Sequence, residues 1–321
     1  IIIIIIPYII IVMLEVNLAG LKLKSPLILA SGILGVSSSV MKRLSKAGLG
    51  AITTKSIGPN PRIGFKNPSI IEIQPGTFLN SVGLGNPGID IFINEIKEFK
   101  KTNFPLIVSV FGHNDDSYIE VATKAEKAGA DAIEVNISCP HSEVACIGID
   151  GTLTYNVVSK IKDNISIPVF VKLNPNVTDI IPIAIAAEQG GADAIVAINT
   201  IEAMAINIDT KRPLLSHGSG GLSGKALHPI AVKKVYDLYK GLHIPIIGCG
   251  GITNWQNVIE FFLAGATAVQ MGTILYRGFK IFEEINEGLR IYLKENNLKS
   301  ISELTGLTHN FKTQEVPNSI D

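Results

Sequence analysis

The run Asn136-Ile137-Ser138-Cys139-Pro140 places an amide, a hydroxyl and a thiol side by side and closes with a helix breaker. Free cysteine often only fills space in a core. A cysteine with that job wants apolar neighbours, whereas Asn136 and Ser138 are polar groups that need partners when buried. A thiol has a reference pKa of about 8.5, near enough to neutral to accept a proton where its surroundings favour the thiolate. Cys139 is therefore the candidate base. Cys146 lies beyond the strand end that carries Cys139 and reads as packing within the following loop.

Two lysines follow apolar runs in the same way: Lys55 after Ala51-Ile52-Thr53-Thr54, and Lys172 after Val169-Phe170-Val171. The plain explanation is that each stem snorkels to solvent. Two ammonium groups at matching strand ends, beside Asn136 and Asn199, fit an anionic ligand and an electron-rich ring better, because an unpaired buried ammonium is costly. Gly250-Gly251 and Gly272-Thr273 close the last two apolar runs. They could be tight turns only. In an α/β barrel, however, the loops after the last two strands commonly hold a phosphate on backbone N–H groups, and both are glycine-rich here, which implies a mononucleotide-type cofactor. The fragment Gly83 to Gly88 (GLGNPG) has the spacing of a dinucleotide fingerprint but follows no strand, is interrupted by Pro87 and lacks an acidic ribose partner. The six histidines are dispersed without ligand spacing, so no metal site is expected.

The elements that position these groups repeat one pattern. Apolar runs at Leu27–Ala30, Ala51–Thr54, Leu106–Val110, Ala132–Ile137, Val169–Val171, Ala194–Ile198, Ile244–Ile247 and Ala268–Met271 alternate with helical stretches. Fully apolar rather than alternating strands imply a parallel sheet covered on both faces. Eight such units predict a closed (β/α)8 TIM barrel, with its site at the C-terminal strand ends; a doubly wound open sheet is the alternative. Ser31, Lys55, Asn136, Lys172, Asn199 and Thr200 come from five different strand ends, and only a closed ring would converge them. Leu14 to Lys24 alternates around Ala19-Gly20 and predicts a small hairpin capping the barrel base. Two long connections, Asn60 to Asp90 and Ile201 to Lys225, are candidate lid loops on the C-terminal face.

With 321 residues, 46% of them hydrophobic, the chain can bury one core of barrel size. Lysine plus arginine (28) balances aspartate plus glutamate (28), so neither nucleic acid nor an anionic membrane is favoured as a partner. The three cysteines, Cys139, Cys146 and Cys249, are too few for a disulfide framework or a four-thiolate cluster, which fits a cytoplasmic location. Residues 1–12 are apolar and almost all isoleucine, yet fall short of the roughly 20 residues of a membrane span and are broken by Pro7. They read as a misassigned start or a non-native extension, with a short membrane-surface tether as the alternative. The remainder, residues 13–321, reads as a single barrel domain with a mononucleotide-type cofactor.

Nine segments in order resemble the dihydroorotate dehydrogenases, specifically the catalytic subunit of the NAD-linked, two-subunit class. They are ASG at Ala30–Gly32, TKS at Thr54–Ser56, NSVGLGNPG at Asn80–Gly88, NISCP at Asn136–Pro140, VKLNPNVTDI at Val171–Ile180, INT at Ile198–Thr200, GGLSG at Gly220–Gly224, GCGG at Gly248–Gly251 and MGT at Met271–Thr273. The resemblance implies FMN-dependent oxidation of dihydroorotate to orotate in pyrimidine biosynthesis. Cys139 would take a proton while hydride leaves for the flavin, and Lys172 would stabilise the reduced flavin's negative charge. It further implies that Lys55, Asn80, Ser81, Val82, Gly83, Leu84, Asn136, Asn199 and Thr200 hold the pyrimidine. Ser31, Ser56, Ile198, Gly224, Gly250, Gly251, Gly272 and Thr273 match the flavin positions, as does Lys172, with Lys55 and Asn136 touching both ligands.

The same resemblance implies a partner subunit carrying FAD and an iron–sulfur cluster, with this chain a homodimer inside a heterotetramer. The VKLNPNVTDI segment points to the NAD-linked class rather than the fumarate-using homodimers. Two residues depart from the family. His141 stands where asparagine usually meets the orotate carboxylate, as in dihydropyrimidine dehydrogenases, so uracil or thymine reduction is the leading alternative. Ser109 stands where an asparagine commonly lies near the flavin, and it keeps a donor with less reach. A flavin electron-transfer or sensor subunit, and an aldolase using Lys172 as a Schiff-base nucleophile, are readings from other classes.

Overall fold

The computed structural model describes residues 12–138 and 147–311. Cys139, His141 and Cys146, and all of the isoleucine-rich run except Val12, lie outside the described residues.

Eight parallel strands close into a barrel in chain order: β1 Leu27–Leu29, β2 Ala51–Thr53, β3 Leu106–Val110, β4 Ala132–Asn136, β5 Val169–Lys172, β6 Ala194–Ala197, β7 Ile246–Cys249 and β8 Ala268–Met271. The ring closes where Val269 pairs with Leu27 and Met271 with Leu29. Each strand is followed by a helix: α1 Ser38–Leu44, α2 Ile89–Lys100, α3 Asp115–Ala128, α4 Gly151–Asn164, α5 Ile181–Gln189, α6 His228–Tyr239, α7 Trp255–Ala264 and α8 Ile281–Glu295. The expected (β/α)8 barrel is therefore the fold, and the open-sheet alternative falls away. Nearly every strand residue is buried because helices cover one face and the barrel interior the other. Among the described residues no helix is long and apolar enough to cross a membrane.

Local chemistry sets where these elements begin and end. Strand β4 stops at Asn136, one residue earlier than its apolar run suggests, because the Asn136 side chain accepts the Ser138 N–H at 3.1 Å in an Asx turn. Strand β7 begins at Ile246 rather than Ile244, since Pro245 has no N–H for a ladder and the N–H of Ile244 is taken by Glu188 Oε1 at 3.1 Å. Helix α3 starts in a reciprocal capping box between Asn114 and Ser117 and ends at Gly129, whose φ of 110° a side chain would resist. From that helix Tyr118 donates its hydroxyl to the Asn136 carbonyl oxygen at 2.9 Å, holding the end of β4 in place.

The opposite, N-terminal end of the barrel is stitched by a repeated Gly-Ala-Asp turn. Asp131 Oδ2 accepts the Leu106 N–H (2.7 Å) and Lys100 Nζ (2.6 Å), and Asp193 Oδ2 accepts the Val169 N–H (2.7 Å) and Lys162 Nζ (2.8 Å). Each aspartate satisfies the first N–H of the neighbouring strand, a donor the parallel ladder leaves free. The expected hairpin is present as Val16–Leu18 paired with Leu21–Leu23, its two-residue turn at Ala19 (φ 48°) and Gly20 (φ 90°) matching a hairpin turn of type I′. Leu18 and Leu23 are fully buried.

The two candidate lids are not separate loops. Ile70–Gln74 and Thr77–Asn80 from the first connection join Gly220–Gly224 and Ile201–Ala203 from the second in one four-stranded antiparallel sheet. The glycine-rich Gly220–Gly224 is an inner strand of that sheet, with Gly221 opposite Asn80 and Glu202. Glycine is needed there because a Cβ on Gly220 would strike the Asn80 carbonyl oxygen and one on Gly221 the Thr200 side chain.

Candidate active site

A cavity of about 530 Å3 opens at the C-terminal strand ends, between the barrel mouth and the lid sheet. Its floor holds Lys172, only 3% exposed at the end of β5. Lys172 Nζ donates to Gln270 Oε1 at 2.9 Å and to Ser31 Oγ at 3.2 Å. Its backbone carbonyl accepts the Ser138 hydroxyl at 3.1 Å, which ties the residue before Cys139 in the chain to the base of the lysine. Burial alone would lower the Lys172 pKa, but the charges of Cys249 and Glu134 beside it outweigh burial and raise it. The Cys249 thiol is pushed up, first by burial and also by Glu134, against the pull of Lys172.

A polar chain runs along the adjoining wall. Asn136 Nδ2 donates to Ser56 Oγ at 3.0 Å, and Ser56 shares a 2.9 Å hydrogen bond with Ser109. Ser56 and Asn136 line the cavity. Ser109 does not: it is fully buried behind Ser56, so its short side chain reaches the wall only through that hydroxyl. This corrects the expectation that Ser109 contacts a cofactor directly.

Lys55 sits at the mouth of β2, where burial lowers its pKa, and among the described residues its Nζ has no hydrogen-bond partner. Ser81, in the lid, lines the same space with its hydroxyl buried and unpaired. Val82, Gly83 and Leu84 continue that wall, with Asn80 beside them. Across the cavity Asn199 accepts the Thr200 N–H through Oδ1 at 2.8 Å. An unpaired ammonium, an unpaired hydroxyl and two amides around one void are what an anionic, hydrogen-bonding ring requires.

At the far end the cavity is floored by backbone. Gly224 (φ 86°), Gly250 (φ 143°) and Gly251 (φ 66°) bring three glycines together, and a Cβ on Gly251 would meet both the His228 N–H nitrogen and the Gly224 carbonyl oxygen. Gly272, Thr273 and Ile198 complete this end. The bare backbone can approach a phosphate closely, and no other residue type fits Gly251. His228 braces the loop from behind: its Nδ1 lies 3.2 Å from the Gly250 carbonyl oxygen and its Nε2 2.6 Å from Glu260 Oε2. The residues present therefore fit FMN: the glycine backbone would hold its phosphate and Lys172 would meet its ring.

Of the residues expected from the sequence, all but three line this one cavity; Ser109 stands behind it, and Cys139 and His141 lie outside the described residues. Glu134, Gln270 and Cys249 were not anticipated. A sequence signal existed for the first two: each is a polar residue inside an otherwise apolar barrel strand.

The family model described as Dihydroorotate dehydrogenase matches residues 13–293. The chain belongs to the dihydroorotate dehydrogenase family. It is 47% identical over 304 residues to the "Dihydroorotate dehydrogenase B (NAD(+)), catalytic subunit" of Methanocaldococcus jannaschii, covering 92% of this chain and 98% of that one. It is 49% identical over 300 residues to the protein of the same name from Pyrococcus abyssi, covering 92% and 99%. Among solved structures, a dihydroorotate dehydrogenase from Eimeria tenella in complex with ferulenol superposes with a TM-score of 0.82 at 22% identity, over 93% of this chain and 89% of that one. That similarity supports the barrel fold, and the family assignment rests on the sequence matches.

Proposed function

We infer that this chain is the catalytic subunit of an NAD-linked dihydroorotate dehydrogenase, an FMN-dependent oxidoreductase that converts dihydroorotate to orotate in pyrimidine biosynthesis. The observation that carries the site assignment is the pairing, in one cavity, of a buried cation at Lys172 with an unpartnered ammonium at Lys55. Bound FMN would supply the hydride acceptor. Lys172 faces the place where negative charge develops, pre-oriented by Gln270 and Ser31, so no reorganisation is needed when the charge appears. Lys55 meets the substrate's negative charge, and Asn80, Ser81, Asn136, Asn199 and Thr200 orient its ring.

Cys139 follows directly on Ser138 in the chain and is our candidate for the base that removes the substrate proton. His141 is our candidate for the carboxylate contact that asparagine makes elsewhere in the family. The relatives' shared name includes "catalytic subunit", which supports a partner. We assign FAD and an iron–sulfur cluster to that partner, a heterotetramer built on a homodimer of this chain to the assembly, and the cytoplasm as its location.

The deciding experiment mixes the purified protein anaerobically with dihydroorotate and, separately, with dihydrouracil, and follows the flavin absorbance. Rapid bleaching by dihydroorotate alone is expected. Bleaching by dihydrouracil alone would make the enzyme a dihydropyrimidine dehydrogenase and remove the role given to His141.

A further inference from the structure

Beneath Lys172, inside the barrel, lies a carboxylate that the reaction as described does not use. Glu134 is fully buried on β4, in a strand otherwise made of apolar residues and Asn136. Its Oε2 accepts Gln270 Nε2 at 2.6 Å, and Gln270 in turn presents Oε1 to Lys172 Nζ at 2.9 Å. Gln270 Nε2 also reaches Thr53 Oγ1 at 3.3 Å. Thr53, Glu134 and Gln270 stand on β2, β4 and β8, alternate strands whose side chains share a layer of the barrel interior. Glu134 Oε1 is buried with no hydrogen-bond partner.

The arrangement has a direction. A carboxylate can only accept, and an ammonium can only donate. A glutamine between them is held in the one orientation that turns its NH2 to the carboxylate and its oxygen to the lysine. The strand register places Asn136, not Glu134, opposite Lys172, and both charged groups instead meet the one amide of Gln270. They interact through the amide rather than as a contact pair.

Among the described residues, the titratable groups facing Lys172 are few. Strand β4 offers Glu134, β7 offers Cys249, and Lys55 lines the same cavity from the end of β2; β6 and β8 offer none. Cys249 has its pKa raised, principally by burial, so it adds negative charge beside Lys172 only as the thiolate, toward the alkaline side. Lys55 adds positive charge. Glu134 is thus the counter-charge that a lysine so deeply buried requires.

We propose that Glu134, acting through Gln270, is a positioning residue that keeps Lys172 protonated within the barrel and so sets the pH range over which the flavin holds its reduction potential. The proposal rests on the flavin reading above. Glu134 touches neither substrate nor flavin, and its effect is passed on by Lys172.

The test is the midpoint potential of the bound flavin, titrated spectroelectrochemically from about pH 6 to about pH 10, just below the ordinary lysine range. The wild-type protein is expected to follow one unbroken line. Glu134→Gln, still yellow and still bleached by dihydroorotate, is expected to show a break in the alkaline half as Lys172 loses its proton. Beyond the break its two-electron reduction becomes about tenfold less favourable than that of the wild type, about 30 mV. Glu134→Asp is expected to restore the unbroken line, and the double variant Glu134→Gln/Lys172→Met to show no break.

A Glu134→Gln profile parallel to the wild type at every pH overturns the proposal, as does a break that survives removal of Lys172. Where Glu134→Gln fails to fold, Gln270→Leu severs the relay with the carboxylate in place. The same break is expected there, and its absence overturns the proposal. A flavin-loaded wild type that dihydroorotate does not bleach would fail the functional reading first, an outcome separate from any change in the pH profile.

Discussion

Asn80 Nδ2 donates to the Gly221 carbonyl oxygen at 3.1 Å, and that bond fastens together two connections that lie 141 residues apart in the chain. Both residues line the cavity, so the lid sheet is built at the site and not merely over it. Asn80→Ala is expected to retain FMN, whose phosphate we assign to the glycine end and not to Asn80, but to raise KM for dihydroorotate about tenfold, roughly 1.4 kcal/mol. Steady-state kinetics beside a flavin-content measurement distinguishes the two effects. Loss of flavin would show that the lid bond supports the whole cavity and not the substrate end.

On the proposed function, Lys55 is the group expected to make substrate binding pH-dependent. Burial lowers its pKa below the ordinary lysine value, so its ammonium is lost earlier on the way up the pH scale than that of a surface lysine. The sign follows directly. Below the lowered pKa the cation is present and holds the anionic substrate; above it the attraction disappears, and the Kd for orotate rises. For the fold alone the effect runs the other way, because the buried charge is an unpaired burden relieved once the proton leaves. Orotate binding measured across the alkaline range is expected to weaken below the ordinary lysine range. Lys55→Arg is expected to move that limit upward, since guanidinium stays charged.

The barrel was legible because a parallel sheet buried on both faces writes itself as continuous apolar runs, one for each strand from Leu27 to Met271. The lid sheet was not legible. Its inner strand Gly220–Gly224 reads as a flexible loop by composition, and only the closeness of Asn80 and Thr200 reveals why glycine is required. Its edge strand Ile70–Gln74 is largely exposed, so no buried face marks it in the sequence. Glu134 and Gln270 were visible as polar residues inside apolar strands, but their meeting depends on ring closure between residues 136 apart. Ser109 was placed near the flavin by resemblance, whereas the structure puts it behind Ser56, buried and sharing a hydrogen bond with that hydroxyl.

The glycine end of the cavity makes its own claim. His228 spans from the Gly250 carbonyl oxygen to Glu260, and Gly251 packs against its backbone, so the ring is the brace of the loop assigned to the phosphate. His228→Ala is expected to lower FMN retention on gel filtration by about tenfold in Kd, roughly 1.4 kcal/mol, with added FMN restoring the rate of bleaching by dihydroorotate. A variant that keeps its flavin as tightly as the wild type would place the phosphate elsewhere.

Asp193 provides the contrast, because it lies at the N-terminal end of the barrel, away from the cavity. Its Oδ2 holds both the Val169 N–H at 2.7 Å and Lys162 Nζ at 2.8 Å, so its removal orphans a backbone donor at the start of β5 and frees a half-buried ammonium. Asp193→Ala is expected to cost about 1–3 kcal/mol in denaturant unfolding, the usual range for stranding a buried polar group. Flavin content and the rate of bleaching by dihydroorotate are expected to match the wild type, because Lys172 at the other end of the same strand is held independently by Gln270 and Ser31. A fall in the bleaching rate with unchanged flavin content would mean that strain at the base of β5 travels along the strand to Lys172. Conservation at the two ends of this barrel would then no longer separate into stability and chemistry.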